Sequence, residues 1–360
     1  MYEIDIQTQT LYAELIDIMQ IIEASRTIAS LKGSFSIKEV KGDEYVYFRA
    51  YNPSGQLEEL YIGPRNDQSE QLMRDHAAGK SDAMEMGEKL KRLSLQIRAG
   101  IVMKTDKAMM RVIRSLADAG VFKNGGVLVG THAFQAAGLM LGVMWPPETT
   151  RTTDVDLAVE RKVAVAIPVI DSDIPAALDS LQMGFFAVPR LNHKDPSTNF
   201  AIRNSQLRLD ILTPKTQDSD SPVLIKRFNC AAEPLSYLSY VIEKPSVSLL
   251  LDTTPVLINI PQPVRYAMHK LIVSQVRDVS SGAKAPKDLY QAYQILSVLQ
   301  ENRPFDIQPA WENLIERGAK WKKYAEAGLA AMEKLYGRLD LQLAATPSNP
   351  VVEQNRGRRR

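Results

Sequence analysis

The chain has 360 residues, 45% of them hydrophobic and 24% charged, with a formal net charge of +2. That composition fits a soluble globular protein of two or three domains; it excludes a disordered or fibrous chain and neither demands nor excludes nucleic acid as a partner. The single cysteine, Cys230, excludes an internal disulfide framework and reads as a small buried hydrophobe in a reducing cytoplasm, and no apolar run is long enough to span a membrane.

The first residues, MYEIDIQTQTLYAELIDIMQ, are acidic and amphipathic, unlike the basic-then-apolar order of a secretory signal. Leu11, Leu15, Ile18, Ile22 and Leu31 recur at roughly helical spacing, which predicts a helix over 8–31 that stops at Lys32-Gly33. From Ser34 to Pro64 the period becomes two, with turns at Lys41-Gly42-Asp43 and Asn52-Pro53-Ser54-Gly55, so three short strands form a meander. Tyr45, Tyr47, Arg49 and Tyr51 alternate onto one face of it. In that pattern the meander is similar to the arm-type domains of some integrases and transposases, and the resemblance implies contact with nucleic acid by stacking and phosphate pairing. The alternative is that the same side chains pack the meander on neighbouring helices. Pro64 to Gly120 is predicted helical, with apolar faces at Leu90, Leu93, Ile97 and Ile101 and at Met109, Val112, Ile113 and Leu116. Its basic residues, Lys89, Arg92, Arg98 and Lys104 among them, read as a solvated face or as a nucleic-acid surface.

The most informative stretch is GVLVGTHAFQAAGLMLGVMWPPETTRTTDVDLAVE, from Gly126 to Glu160. It predicts a buried strand to Val129, a turn at Gly130-Thr131, a helix to about Met144, a Pro/Thr-rich loop and a second strand over Thr153 to Val159. In that strand Val155, Leu157 and Val159 alternate with Asp154 and Asp156, which sends both carboxylates out of one face, about 7 Å apart. Such a pair repels itself unless a divalent cation lies between, and hard oxygen donors on a strand suit magnesium together with phosphate oxygens. Downstream, QLRLDILTP (Gln206 to Pro214) alternates again, with Leu207, Leu209 and Ile211 on one side and Asp210 on the other.

Strand, Gly-Thr, helix, loop and T-x-D-apolar-D, followed by a third acid on a later strand, resembles the DNA polymerase beta-like nucleotidyltransferase superfamily. The resemblance covers roughly 120–300. It implies that Gly130 and Thr131 hold a triphosphate, that Asp154 and Asp156 hold two magnesium ions (manganese as an alternative), and that Asp210 completes the metal site beside the acceptor hydroxyl. It also implies a C-terminal helical bundle closing the cleft, where Lys270 in Met268-His269-Lys270-Leu271 and Lys287 in Lys287-Asp288-Leu289 would meet phosphate oxygens. His132, beside the inferred phosphates, and Arg151, before the acids, are further nucleotide-contact candidates; a turn cap and a solvated loop arginine are their plainer readings. Small nucleotidyltransferases of abortive-infection and type IV toxin-antitoxin systems make RNA, tRNA above all, the favoured acceptor. Protein or small-molecule hydroxyls, an Asp-x-Asp glycosyltransferase and a non-catalytic nucleotide- or nucleic-acid-binding module remain as alternatives. Neither the nucleotide, ATP or another, nor the oligomeric state is legible in the sequence.

After the acids, the patterns predict a strand over 163–170, a helix over 174–183, strands over 184–191 and 199–203, and a hairpin over 245–263. Three helices follow: VRYAMHKLIVSQV, KDLYQAYQILSVLQ and one from Trp311 to Tyr336. The expected fold is α+β: a mixed nucleotidyltransferase sheet with helices on one side (116–262), an N-terminal helix, meander and connector (1–115), a C-terminal helical bundle (263–345) and a disordered basic tail (346–360). Gly79-Lys80-Ser81 lacks the preceding strand and glycine of a P-loop. Asp171-Ser172-Asp173 and Asp218-Ser219-Asp220 lie among loop residues and read as caps or turns, and the four histidines show no metal-ligand spacing.

Overall fold

The computed structural model describes residues 1–24, 33–40, 42–51, 57–101, 106–160, 172–216, 220–277 and 284–343. The expected turns at 41 and 52–55, the strand at 163–170, Asp171, Asp218-Ser219, Lys104 and the basic tail lie outside the described residues. Strand β1 (Tyr2–Glu3) and helix α1 (Ile6–Ala24) precede an antiparallel meander of β2 (Ser34–Val40), β3 (Asp43–Tyr51) and β4 (Leu57–Pro64). Helices α2 (Asp67–Gly100) and α3 (Lys107–Asp118) follow, the first opened by a reciprocal Asn66/Ser69 capping box and the second by Asp106.

The central part comprises β5 (Val127–Val129), α4 (Gly130–Met140), β6 (Val143–Met144), α5 (Pro147–Thr150), β7 (Asp154–Ala158) and α6 (Ile174–Asp179). It continues through β8 (Phe185–Ala187), β9 (Asn199–Ile202), β10 (Arg208–Pro214), β11 (Val223–Ile225), β12 (Cys230–Leu235), α7 (Leu238–Ile242) and the hairpin of β13 (Ser246–Leu250) and β14 (Val256–Ile260). Helices α8 (Pro263–Val276), α9 (Ala285–Asn302), α10 (Ile307–Ile315) and α11 (Ala319–Tyr336) complete the described chain. The architecture is α+β around a mixed sheet.

That sheet is organised on β7 and β10. Their parallel ladder sets Arg208 opposite Asp154, Asp210 opposite Asp156 and Leu212 opposite Ala158. The far edge of β10 is shared: its first half pairs antiparallel with β9 and its second half parallel with β12. Strand β5 closes the near edge, antiparallel to β7. The alternation of each strand decides its faces: Val155, Leu157, Leu209 and Ile211 are buried in the main core with residues of α3, α4 and α6. Helices were expected on one side only. Instead Leu238, Val241 and Ile242 of α7 pack on the opposite face against Val127, Val129, Ala158 and partly buried Leu212, because this end of that face is apolar.

Several boundaries differ from expectation for local reasons. Helix α4 ends at Met140 rather than near Met144, because Gly142 takes φ +71° and Val143-Met144 pairs with β1. The expected last helix is two, α10 and α11, separated at Gly318 with φ +130°. A boundary at 115/116 would cut through α3, whose Met109, Val112, Ile113 and Leu116 lie in the main core with the sheet. The same core runs on through α8, α9 and α11, so sheet and C-terminal helices share one hydrophobic interior. Cys230, expected as a small buried hydrophobe, is buried at the start of β12, a strand that the alternation pattern did not reveal. No helix among the described residues is long and apolar enough to cross a membrane.

Candidate active site

Asp154 and Asp156 leave one face of β7, and the parallel ladder brings Asp210 to the same face beside Asp156. On the other side of Asp156 stands Val129, the last residue of β5, from which the chain turns directly into α4. Gly130 makes that turn possible. Its φ is +64°, and a Cβ built there would fall 2.0 Å from Asp156 Oδ2, so both the backbone conformation and the close approach require glycine. No side chain caps α4, which leaves the first N–H groups of the helix and its positive end available beside the acids.

Burial and neighbouring carboxylates raise Asp156 and Asp210. Asp210 is pushed up to about 6, first by burial and then by Asp156 and Asp154, against the pull of Arg208 and an Asn199 hydrogen bond. Asp156 is raised by burial, with Lys270 opposing and Asp154 adding to the shift. Thr153 Oγ1 lies 3.4 Å from Asp154 Oδ1, and Thr152 Oγ1 accepts from the Asp154 backbone N–H at 3.2 Å.

A cavity of about 690 Å³ opens over these groups, lined by Gly130, Thr131, Arg151, the three acids, and Lys270, Arg277, Lys284 and Lys287 from α8, α9 and the link between them. Asp288, almost fully buried, receives Lys270 Nζ at 2.6 Å on one oxygen and Arg277 Nε on the other. Burial alone would raise Asp288, but these two cations outweigh it and hold the carboxyl below its usual range. Lys270 also sits 5.2 Å from the Tyr266 ring centroid. Lys287 donates to the Arg151 carbonyl oxygen at 3.0 Å, and burial followed by the nearby Lys270 charge lowers it. Gln291 ties the wall to the floor: its amide nitrogen donates to the Thr149 carbonyl oxygen at 2.9 Å, and its Oε1 lies 3.1 Å from the Tyr266 hydroxyl, which is itself 3.0 Å from the Gly130 carbonyl oxygen.

The structure thus brings Gly130, Thr131, Arg151, Asp154, Asp156, Asp210, Lys270 and Lys287 to one cavity. His132 does not join them. It is 1% exposed, one residue further round α4, and points into the core with Nδ1 unpartnered. This corrects its expected nucleotide contact: successive helix positions turn by about 100°, so a helix that offers Thr131 to the cavity buries its neighbour. Sequence reasoning missed Tyr266, Arg277, Lys284, Asp288 and Gln291. Asp288 follows Lys287 directly, yet nothing in the local pattern marks its burial.

The buried imidazole has a measurable consequence. Burial lowers His132 to about 4, with Asp106 opposing, against an ordinary 6.5. Its neutral form therefore contributes stability that is intact above the unfolded value and lost as pH falls from about 6.5 towards 4, about 2 kcal/mol by pH 5. His269, lowered to about 3 by burial and then Lys270, acts in the same direction. Urea midpoints at about pH 7 and pH 5 should show the drop, and His132→Gln should reduce it; an equal drop in the variant would assign it elsewhere.

Among the described residues, no group of three or more His, Cys, Asp or Glu side chains is arranged to hold a metal ion by itself. The donor chemistry nevertheless fits magnesium, which takes one or two carboxylates and completes its shell with water and phosphate oxygens. Asp154 and Asp156 supply those hard oxygens, and the upward shifts of Asp156 and Asp210, each by burial and neighbouring carboxylates, mark a deficit of positive charge at this point.

The meander presents a second constellation. Val46 and Phe48 are buried, with Phe48 and Phe35 packed edge-on against His76 of α2. Tyr45, Tyr47 and Arg49 occupy the other face and remain partly exposed, so they do not pack the sheet onto the helices. They meet their own neighbours: Tyr61, 53% exposed, contacts both tyrosine rings, Lys38 lies 4.9 Å from the Tyr47 centroid, and Glu59 pairs with Lys38 and Arg49. The side chain of Tyr51 lies outside the described residues.

A strand pair carrying three acids, a glycine turn into a helix and a facing wall of cations thus meet at one cavity. A family model described as Nucleotidyltransferase matches residues 107–316, more than half of the chain, and the protein belongs to that family. The match begins at α3, where the main core also begins. Among solved structures, an antigenic nucleotidyltransferase-like protein from Paracoccidioides brasiliensis matches 61% of this chain and 93% of its own, at 15% identity. Its TM-score of 0.29 is too low to support an argument from shape. No curated protein matches the chain.

Proposed function

We propose that the protein is a magnesium-dependent nucleotidyltransferase of the DNA polymerase beta-like type, moving a nucleoside monophosphate from an NTP to an acceptor hydroxyl with release of pyrophosphate. The observation that carries this reading is the meeting of Asp154, Asp156 and Asp210 with the start of α4 and the Lys270–Lys287 wall in one cavity.

The roles follow from placement. Gly130 and Thr131 offer backbone N–H groups to phosphate oxygens, and Lys270, Lys287 and Arg151 balance the charge of the leaving pyrophosphate. Asp288 keeps Lys270 protonated and aimed. Asp154 and Asp156 would hold magnesium with the triphosphate, and Asp210 would complete the site on the acceptor side; the metal, when bound, supplies charge neutralisation at the transferring phosphorus. Asp210, near 6 without it, accepts the acceptor's proton as the acceptor oxygen bonds to the α-phosphorus and the bond to the pyrophosphate oxygen breaks. The test is incubation with α- and γ-labelled nucleotides and magnesium, with RNA, protein and small-molecule fractions as acceptors. The α label should appear on an acceptor and the γ label in pyrophosphate, and Asp210→Ala should lose kcat while NTP affinity changes little. Acceptor labelling from γ-labelled nucleotide would point to phosphoryl transfer and sink the proposal.

RNA is the acceptor class with structural support. The open tyrosine face of the meander, with Tyr45, Tyr47 and Tyr61 beside Lys38 and Arg49, suits base stacking and phosphate contact, although Glu59 already engages both cations.

A further inference from the structure

The acid-bearing face of the sheet continues past Asp210. Through the ladders, the row Asp154–Arg208 extends to Ala201 of β9 and Phe186 of β8, and the row Asp156–Asp210 extends to Asn199. Residues opposite one another in a ladder share a face, so Phe186, Arg208 and Asn199 stand on the same side as the three acids. The intervening row, Val155–Leu209–Phe200, faces the core.

Phe186 is the more exposed of the two phenylalanines on β8. Its neighbour Phe185 packs against the main core, whereas Phe186, on the other face, is 38% exposed. The Arg203 guanidinium lies 5.8 Å from its ring centroid. Arg203 and Arg208 form no ion pair among the described residues, while Glu233, the carboxylate on neighbouring β12, is taken by Arg190. Beyond the acids the shelf is therefore aromatic and cationic. It is continuous with Asp210 and lies on the side of that acid away from the Gly130 turn.

We propose that this shelf, Phe186 with Arg203 and Arg208, binds the acceptor as the end of a single-stranded RNA, one base stacking on Phe186 and its phosphates meeting the two arginines. The inference rests on the nucleotidyltransferase reading and gives its acceptor a place. Two strand spacings separate β8 from β10, roughly 10 Å. That span suits a base one or two nucleotides behind a terminal hydroxyl at Asp210. Flat stacking on a ring and charge contact with phosphate are sequence-tolerant, so many RNA ends should be accepted.

The experiment measures binding of a short single-stranded RNA by fluorescence anisotropy and binding of a labelled NTP separately, for the full chain and for Phe186→Ala, Phe186→Tyr and Arg203→Gln. Phe186→Ala should weaken RNA binding roughly five- to hundred-fold and raise the acceptor KM, leaving NTP affinity unchanged. Phe186→Tyr should restore binding, which a loss of folding would not allow, and Arg203→Gln should lower the dependence of binding on salt. Unchanged RNA affinity in Phe186→Ala overturns the inference. Wild-type protein that binds NTP but no RNA at low salt also overturns it, leaving the transferase reading intact and shifting the acceptor to a protein or small molecule. Failure to bind NTP removes both.

Discussion

Asp156→Asn should abolish nucleotide transfer, by about a thousand-fold or more in kcat/KM, without costing stability. The loss follows from removing one of the two carboxylates that would hold magnesium against the triphosphate, since a thousand-fold corresponds to about 4 kcal/mol, within what a metal supplies to a phosphoryl oxygen. The stability sign follows from the folded protein alone. Burial and Asp154 raise Asp156, which means that its charge is disfavoured in the native state at neutral pH. Asparagine removes that cost and fits the same space, so the thermal midpoint should stay or rise. The check is activity and thermal unfolding on one sample. A variant that unfolds, or one that retains full magnesium-dependent activity, would remove Asp156 from the site.

Gly130→Ala should fail differently, losing stability and nucleotide binding together. The left-handed backbone costs a non-glycine residue roughly 1 to 2 kcal/mol, and the added methyl would overlap the Asp156 carboxylate at 2.0 Å. Relief requires either a shift of the β5–α4 turn away from β7 or a displaced carboxylate, and each spoils the approach of phosphate to the helix start. The expected signature is a lower thermal midpoint with NTP affinity weakened on the order of ten-fold or more. If the alanine variant kept both, the turn would not be the phosphate-binding element. Read together, the two variants separate a residue used for its charge from one used for its absence of a side chain.

The parts of this site that were legible in the sequence are those whose signal is local. Period-two alternation around Asp154, Asp156 and Asp210 fixes their face, and the ladder register then places all three together. Gly130 was legible as a turn, although the reason for glycine, the Asp156 oxygen across the ladder, is not a sequence property. The cation wall was half legible: Lys270 and Lys287 came from the resemblance, but Arg277, Asp288 and Gln291 join them only because α8 packs against α9. His132 is not legible as a core residue, because adjacency to Thr131 in sequence is not adjacency to the cavity in space. Strands β11 and β12 were missed because each is short or interrupted by Pro234, and the sheet edge that admits β12 appears only once β9 has left the second half of β10 free.

The attachment of the N-terminal segment has a consequence for how the chain is made. Strand β1 pairs with β6, and the Tyr12 hydroxyl of α1 bonds to Ser248 Oγ, 236 positions later. At ribosomal rates of about 5 to 20 residues per second, α1 waits on the order of tens of seconds before the hairpin that receives it exists. During that interval the apolar stripe of α1, with Leu15 and Tyr12, has α2 and, once they are made, Leu139 and Met144 to cover it, but lacks Leu249 and Leu251. Newly synthesised protein should therefore pass through a stage in which α1 is only partly docked, and that stage is where chaperone capture or proteolytic nicking would act.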